Sequence, residues 1–129
     1  MNSKKVKLNT SAVEINTGDE YRFNIEFYVY KQDGKYIAYC PSLDLATSAS
    51  NFNEAVSNFY ECFQLYVETC VEAGTLHEDL LSHGWKLTKM SIVPPKSTTV
   101  LRKPEMKALI DSNINYERLS VPARLPLAV

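Results

Sequence analysis

Positive charge is missing from the middle of this sequence, since residues 36–85 contain no Lys or Arg. The same stretch contains seven Asp and Glu residues, whereas residues 86–129 contain eight Lys and Arg and three Asp and Glu. The net charge of −1 therefore hides an acidic central block, residues 36–85, and a basic C-terminal segment. Because an acidic surface repels phosphates, we expect the acidic block not to bind nucleic acid.

Glycine, cysteine and long apolar runs are also scarce. The four glycines occur singly, so the chain has no glycine-rich loop that could cradle a phosphate. The three cysteines are odd in number, which favours reduced thiols over a disulfide framework. No apolar run approaches the ~18 residues that a membrane helix needs. We therefore expect a soluble, cytoplasmic protein with no membrane segment.

Candidate metal-binding and catalytic residues form no recognisable pattern. Cys62 and Cys70 are eight positions apart and lack the paired short spacing of structural zinc sites. A two-metal nuclease site needs carboxylates that converge from strands, and Glu26, Asp33 and Asp44 do not converge in the predicted sheet. We therefore predict no metal site, no cofactor and no catalytic residues.

The acidic block contains the longest periodic segment of the chain, an amphipathic helix from Asn51 to Gly74. Asn51, with Glu54 three residues later, predicts the N-terminal cap, and Gly74 supplies a left-handed stop. At about 100° per residue, one side of this helix is apolar. The residues predicted to be buried are Phe52, Ala55, Val56, Phe59, Cys62, Phe63, Tyr66, Val67, Cys70 and Ala73.

Glu54, Glu61, Glu68 and Glu72 lie on the opposite side of the helix and form what we call the acidic ridge. Like charges at i and i+4, as at Glu68 and Glu72, cost an isolated helix about a few tenths of a kcal/mol. Two interpretations stay open. The ridge is either a solvated face that keeps the protein soluble, or a surface that binds a basic protein or the basic segment of a neighbouring copy.

A β-hairpin and a third strand are predicted before the helix. The first strand begins at Tyr21 and alternates apolar and polar residues. Asp33-Gly34 forms the turn, and the second strand runs from Lys35 to Cys40. A short third strand covers about residues 46–49 and leads into the helix cap.

One long helix covers only one face of such an antiparallel sheet. Tyr28 and Tyr30 project toward the other face. That face is either exposed to solvent or covered by the C-terminal tail or another copy, since tyrosine is enriched at interfaces. We therefore name Tyr28 and Tyr30, together with the acidic ridge, as candidate partner-binding residues.

A fourth strand, from Trp85 to Val93, is predicted after the helix and is stopped by two prolines. In the tail that follows, residues 94–129, the segment from Lys103 to Asp111 predicts two helical turns and the proline-containing end predicts an extended chain. This tail has no core of its own, so we expect it to lie on its own domain or on another copy. Its Lys and Arg residues are spaced out, so direct nucleic-acid binding is unexpected here too.

Together these elements predict an α+β fold, with a three- to four-stranded, mainly antiparallel sheet, one long helix packed on one face, and an extended C-terminal tail. Residues 1–20 form an N-terminal arm or edge strand in this interpretation. Residues 21–93 form the αβ domain, and residues 94–129 form the basic, proline-containing tail.

Two motifs at a compatible distance carry a family resemblance. The first, Tyr-x-Ala-x-x-Pro-x-Leu, consists of Tyr36, Ala38, Pro41 and Leu43. The second, of the type Thr-x-x-Glu-Ala-x-x-Asn, consists of Asn51, Glu54, Ala55 and Asn58. Over about residues 23–74 the chain resembles the HicB antitoxin family.

The resemblance implies a partial RNase H-like fold that lacks the nuclease machinery. It also implies a protein without catalytic activity that binds and occludes a HicA-type toxin, a small RNA-cleaving protein with a double-stranded-RNA-binding type of fold. The alternative is a stand-alone homo-oligomeric module, structural or regulatory, with no toxin partner. A homo-oligomer is expected in both cases.

Overall fold

The computed structural model describes residues 20–88 and 91–126. The strands are β1 (Glu20–Gln32), β2 (Lys35–Cys40), β3 (Leu45–Ala49), β4 (Lys86–Leu87), β5 (Ile92–Val93) and β6 (Tyr116–Pro126). The helices are α1 (Phe52–Ala73), α2 (Leu76–Ser82), α3 (Ser97–Val100) and α4 (Pro104–Asp111). The fold is α+β, as predicted, with a four-stranded antiparallel sheet in the order β3-β2-β1-β6 and α1 packed on one face. The predicted N-terminal arm, up to residue 19, lies outside the described residues.

The β1–β2 hairpin follows the predicted turn. Asp33 and Gly34 both have positive φ, at 53° and 79°, which matches the right-handed twist of the flanking strands. Gln32 pairs with Lys35 beside the turn, and the pairing continues to Tyr28 opposite Tyr39. The hairpin therefore places alternate residues of β1 against α1.

Both predicted ends of α1 are confirmed, with one difference at the N-terminal cap. Asn51 Oδ1 accepts a hydrogen bond from the Glu54 N–H at 2.8 Å. Glu54 Oε1, however, accepts from the backbone N–H and hydroxyl of Ser50, one residue before the cap. At the other end Gly74 has φ 71°, and its N–H donates to the carbonyl of Val71.

The main core lies between α1 and the facing side of the sheet. Phe59, Phe63 and Val67 are fully buried, and the Phe59 ring stacks on Phe27 of β1 with ring centroids 4.1 Å apart. The predicted apolar stripe is therefore the packed face for most of its length. Ala73, predicted to be buried, is exposed because it lies at the last position of the helix.

The C-terminal tail completes the sheet. All eleven residues of β6 pair with β1, from Tyr116 opposite Tyr30 to Pro126 opposite Glu20. The side chains of Val121, Ala123 and Leu125 are buried in the main core. The extended conformation of the end of the tail was predicted. Of the two surfaces on which the tail was expected to lie, its own domain or another copy, the structure shows its own domain.

The prediction of one continuous strand from Trp85 to Val93 is wrong. This region contains β4 and β5, two residues each, which form a separate hairpin. Trp85 turns into the core instead, where it is almost fully buried and its Nε1–H donates to the carbonyl of Ser42 at 2.7 Å. The fourth strand of the main sheet is therefore β6.

The second face of the sheet is covered by α4. Met106 and Leu109 of this helix are buried against Tyr28 and Tyr39, and they form a second, smaller core. Of the alternatives left open for this face, the structure shows cover by the tail of the same chain. The two helices α1 and α4 consequently lie on opposite faces of one sheet.

Candidate functional site

The outer side of α1 is acidic over most of its length. Glu61 and Glu72 are exposed and Glu68 is half-buried, and none of the three forms an ion pair with a described residue. Glu54 differs from them because its carboxylate is held by Ser50 at the helix cap. The part of the acidic ridge open to a partner is therefore Glu61, Glu68 and Glu72.

An exposed leucine lies beside these carboxylates. Leu65 is 62% exposed, the highest value among the exposed large apolar residues of the described chain. It follows Glu61 by four positions and precedes Glu68 by three, so the three side chains are neighbours on the helix surface. Leu65 was not predicted as a site residue, although its place among polar positions of the helical pattern was a usable signal.

A groove of about 670 Å³ separates this flank of α1 from β3. Six of its lining residues are Leu45, Thr47, Asn58, Cys62, Leu65 and Thr69. Asn58 bridges the two elements, since its Nδ2 donates to the carbonyl of Ser48 at 3.2 Å. The Thr47 hydroxyl oxygen is buried and has no hydrogen-bond partner among the described residues.

The predicted partner-binding tyrosines lie away from this site. Tyr28 is only 5% exposed, because Met106 and Leu109 of α4 cover it, and burial raises the pKa of its hydroxyl. Tyr30 is half-buried against the same cluster, and burial raises its pKa too. Since α4 and α1 lie on opposite faces of the sheet, the structure does not bring these tyrosines together with the acidic ridge.

The residues of the two motifs mainly hold the fold together. Four of them are buried: Ala38, Pro41, Leu43 and Ala55. Tyr36 packs edge-on against Phe52, with ring centroids 6.4 Å apart. Asn51 and Glu54 belong to the helix cap. Only Asn58 lies at the groove.

A polar network joins α1 to α2 at the far end of the groove. The Tyr66 hydroxyl donates to Asp79 Oδ2 at 2.6 Å, and His83 Nε2 lies 3.4 Å from the same oxygen. Burial, followed by the hydrogen bond to Asp79, raises the pKa of the Tyr66 hydroxyl. This network stabilises the packing of α2 on α1 and holds Tyr66 as a neutral wall of the groove.

The three cysteines are free thiols. Burial raises the pKa of Cys40 to about 11 and also raises the pKa values of Cys62 and Cys70, so all three favour the thiol at neutral pH. Among residues 20–88 and 91–126, no three His, Cys, Asp or Glu side chains come together as a possible metal site. The same residues include no helix long and apolar enough to cross a membrane.

No protein-family model matches the chain, and neither a curated protein nor a solved structure does.

Proposed function

We propose that this protein is a HicB-like antitoxin that binds and occludes a small, basic HicA-type RNA-cleaving toxin, without catalysis of its own. The observation that carries the proposal is the open part of the acidic ridge, Glu61, Glu68 and Glu72, which no described cation neutralises. A toxin that binds RNA must present Lys and Arg to phosphates. The carboxylates of the ridge bind those Lys and Arg side chains, so the toxin cannot bind the antitoxin and RNA at the same time.

Rigidity supports this use of the ridge. The helix that carries it is capped at both ends, and its buried side is anchored by Phe59 and Phe63. Carboxylates on a fixed scaffold bind an opposite charge at a lower entropy cost than carboxylates on a loop. The protein acts in this proposal by steric and electrostatic cover, in the cytoplasm, where its three thiols stay reduced.

A second candidate is a homo-oligomeric module with no toxin partner. Three exposed apolar side chains on the C-terminal half favour it, namely Val93, Ile110 and Tyr116. Contact between copies would remove these side chains from water. Light scattering distinguishes a monomer from an oligomer directly, and the antitoxin proposal is compatible with an oligomer that leaves the acidic ridge open.

The proposed function is tested with the purified product of the reading frame adjacent to this one. We expect a small basic protein that cleaves RNA, and we expect this chain to stop the cleavage at a molar ratio near one. Cleavage by this chain alone, with or without Mg²⁺, would contradict the claim that it lacks catalysis. An adjacent product that this chain neither binds nor inhibits would contradict the antitoxin proposal and favour the stand-alone module.

A further inference from the structure

Strand β1 is longer than the strand β2 beside it. β1 has 13 residues and pairs with β6 over eleven of them, whereas β2 pairs with residues 28–32 of β1. β2 ends at Cys40, and the next residue, Pro41, would lie opposite Glu26 if the pairing continued. Pro41 has no N–H to donate, so the ladder stops there. Among the described residues, no strand pairs with residues 24–26 on this side, and we call this position the open lane.

The backbone groups of Asn24 and Glu26 face the open lane. In a hairpin with a two-residue turn, the flanking residues, here Gln32 and Lys35, exchange hydrogen bonds. Every second residue of an antiparallel strand directs its N–H and C=O toward the same neighbour. The register of β1 is unbroken along its pairing with β6, so Glu26 and Asn24 face the side of β2, as Gln32 does.

Pro122 of β6 supports the same direction. It pairs with Asn24 but has no N–H, so it is tolerated only at a position where the ladder between β1 and β6 needs no bond from it. The backbone groups of this pair therefore point away from each other, and those of Asn24 point to the open lane. Among the described residues, none makes a backbone hydrogen bond to Asn24 or Glu26 on this side.

A cavity of about 270 Å³ lies at the open lane. Its walls include polar, aromatic and proline side chains, among them those of Asn24, Glu26, Tyr28, Pro41, Trp85 and Lys96. Tyr28 and Trp85 are almost fully buried, and the indole N–H of Trp85 is held by the Ser42 carbonyl, so these walls are formed in the free protein. A preformed cavity beside unpaired strand N–H and C=O groups suits an extended peptide, which supplies the matching backbone groups.

We propose that the open lane binds the N-terminal end of a peptide from another molecule, extended and antiparallel to β1. β2 fills the position beside β1 as far as Pro41, so a peptide antiparallel to β1 has to begin at Pro41. Glu26 lines the cavity at the same end of the lane. Its carboxylate favours the ammonium group of a peptide N-terminus over the carboxylate that a parallel peptide would place there.

The other charged groups leave the Glu26 carboxylate available. Arg118 Nη1 lies 3.9 Å from Glu26 Oε2, near the outer limit of an ion pair, and the Arg118 side chain is 60% exposed. Exposed pairs of this kind contribute little to stability, so an ammonium group can replace Arg118. Lys96 is also exposed, and a long side chain of this type keeps its charge in water.

The inference goes beyond the proposed function and does not depend on it. Successive side chains of a strand point to opposite faces, so Asn24 and Glu26 lie on the face of Tyr28, which α4 covers further along the strand. The acidic ridge lies on α1, on the opposite face. A peptide in the open lane therefore leaves the ridge accessible, and the result of either binding test leaves the other proposal unaffected.

The first test is an NMR titration with tripeptide amides that have alanine at the first and third positions and a varied second position. We expect members of this set to bind and to slow hydrogen exchange at the amides of Asn24 and Glu26. The N-acetylated form of each peptide is the matched control and should bind about ten-fold or more weakly, because it has no ammonium group. Equal affinities for the free and acetylated forms, or no binding by any member, would overturn the proposal.

A charge variant tests the role of Glu26. Glu26→Gln should bind the free peptides about ten-fold or more weakly and leave the affinity for the acetylated peptides unchanged. Glu117→Gln is the control, because it makes the same change in net charge at an exposed position of β6 that does not line the cavity. Equal affinity of the two variants for a free peptide would contradict capture of the N-terminus by Glu26.

Hydrogen exchange in the free protein tests the open lane itself. The amides of Asn24 and Glu26 face the lane, whereas those of Ile25 and Phe27 face β6. We expect the first pair to exchange about ten-fold or more faster than the second in the absence of peptide. Equal protection of the two pairs in the free protein would show that the lane is already filled, and would overturn the proposal.

Discussion

At the scale of single residues, burial changes the pKa of the Cys40 thiol. Cys40 ends β2, it is fully buried, and its Sγ lies 3.4 Å from the Ser42 hydroxyl. Burial raises the pKa of the thiol from 9.0 to about 11, and the contact with Ser42 only partly offsets this effect. Packing therefore keeps the thiol neutral and unreactive in the folded protein.

The raised pKa predicts a stability loss in alkali with a definite sign. Because the folded-state pKa is higher than the unfolded one, the unfolded chain releases the Cys40 proton first. The contribution to stability is complete below pH 9 and is lost as the pH rises through about 11, with a total on the order of 3 kcal/mol. Urea unfolding of the wild type and of Cys40→Ala measures it.

The wild type should lose stability relative to Cys40→Ala only above pH 9, the unfolded-state pKa of the thiol. The comparison cancels the ionisation of Tyr39 and Tyr66, whose hydroxyl pKa values are also raised. A stability difference between the two proteins that stays constant up to pH 11 would show that Cys40 is not buried as described.

At the scale of elements, α1 contributes five buried residues to the main core. Phe63 is fully buried between this helix and the sheet, whereas Glu72 is exposed on the same helix. Phe63→Ala should lower the free energy of unfolding by about 3 to 5 kcal/mol, because it removes a large side chain from a packed core. Glu72→Ala, the control, should change it by less than about 0.5 kcal/mol. A loss below about 1 kcal/mol for Phe63→Ala in denaturant unfolding would mean that the buried face is assigned wrongly.

Elements with local signals could be predicted from the sequence. The hairpin depends on Asp33-Gly34, and α1 depends on its apolar period and on Asn51 and Gly74, all of which lie within or next to the element that they define. Trp85 shows why the fourth strand could not be placed. Its indole N–H donates a hydrogen bond to the carbonyl of Ser42, which lies 43 positions earlier in the sequence. A local sequence pattern cannot predict a contact between such distant residues.

The candidate site, too, was predictable only where its residues lie within one element. The acidic ridge follows from spacing along one helix, so its four residues could be named from the sequence. The groove could not, since it forms only when β3 pairs with β2 and Asn58 reaches Ser48. Tyr28 was named as a candidate partner-binding residue on a face that was left either exposed or covered by the tail or another copy, and Met106 and Leu109 of the tail cover it.

At the scale of the whole molecule, charge of opposite sign is separated in space. The basic tail is built into the far edge of the sheet as β6 and onto its second face as α4, while the acidic ridge lies on the outer side of α1. As far as the structure describes it, the tail of the same protomer therefore does not cover the ridge. Glu61, Glu68 and Glu72 form no ion pair with a described residue.

The most direct measurement is the rate at which this protein associates with the adjacent gene product at several salt concentrations. Glu61→Lys/Glu68→Lys reverses the centre of the ridge, and Asp111→Lys/Glu117→Lys is a control with the same change in net charge at exposed positions elsewhere. The account predicts an association rate about ten-fold or more lower for the ridge variant at low salt, converging with the control as salt screens charges beyond about 8 Å. Equal rates and equal salt dependence for the two variants would contradict it.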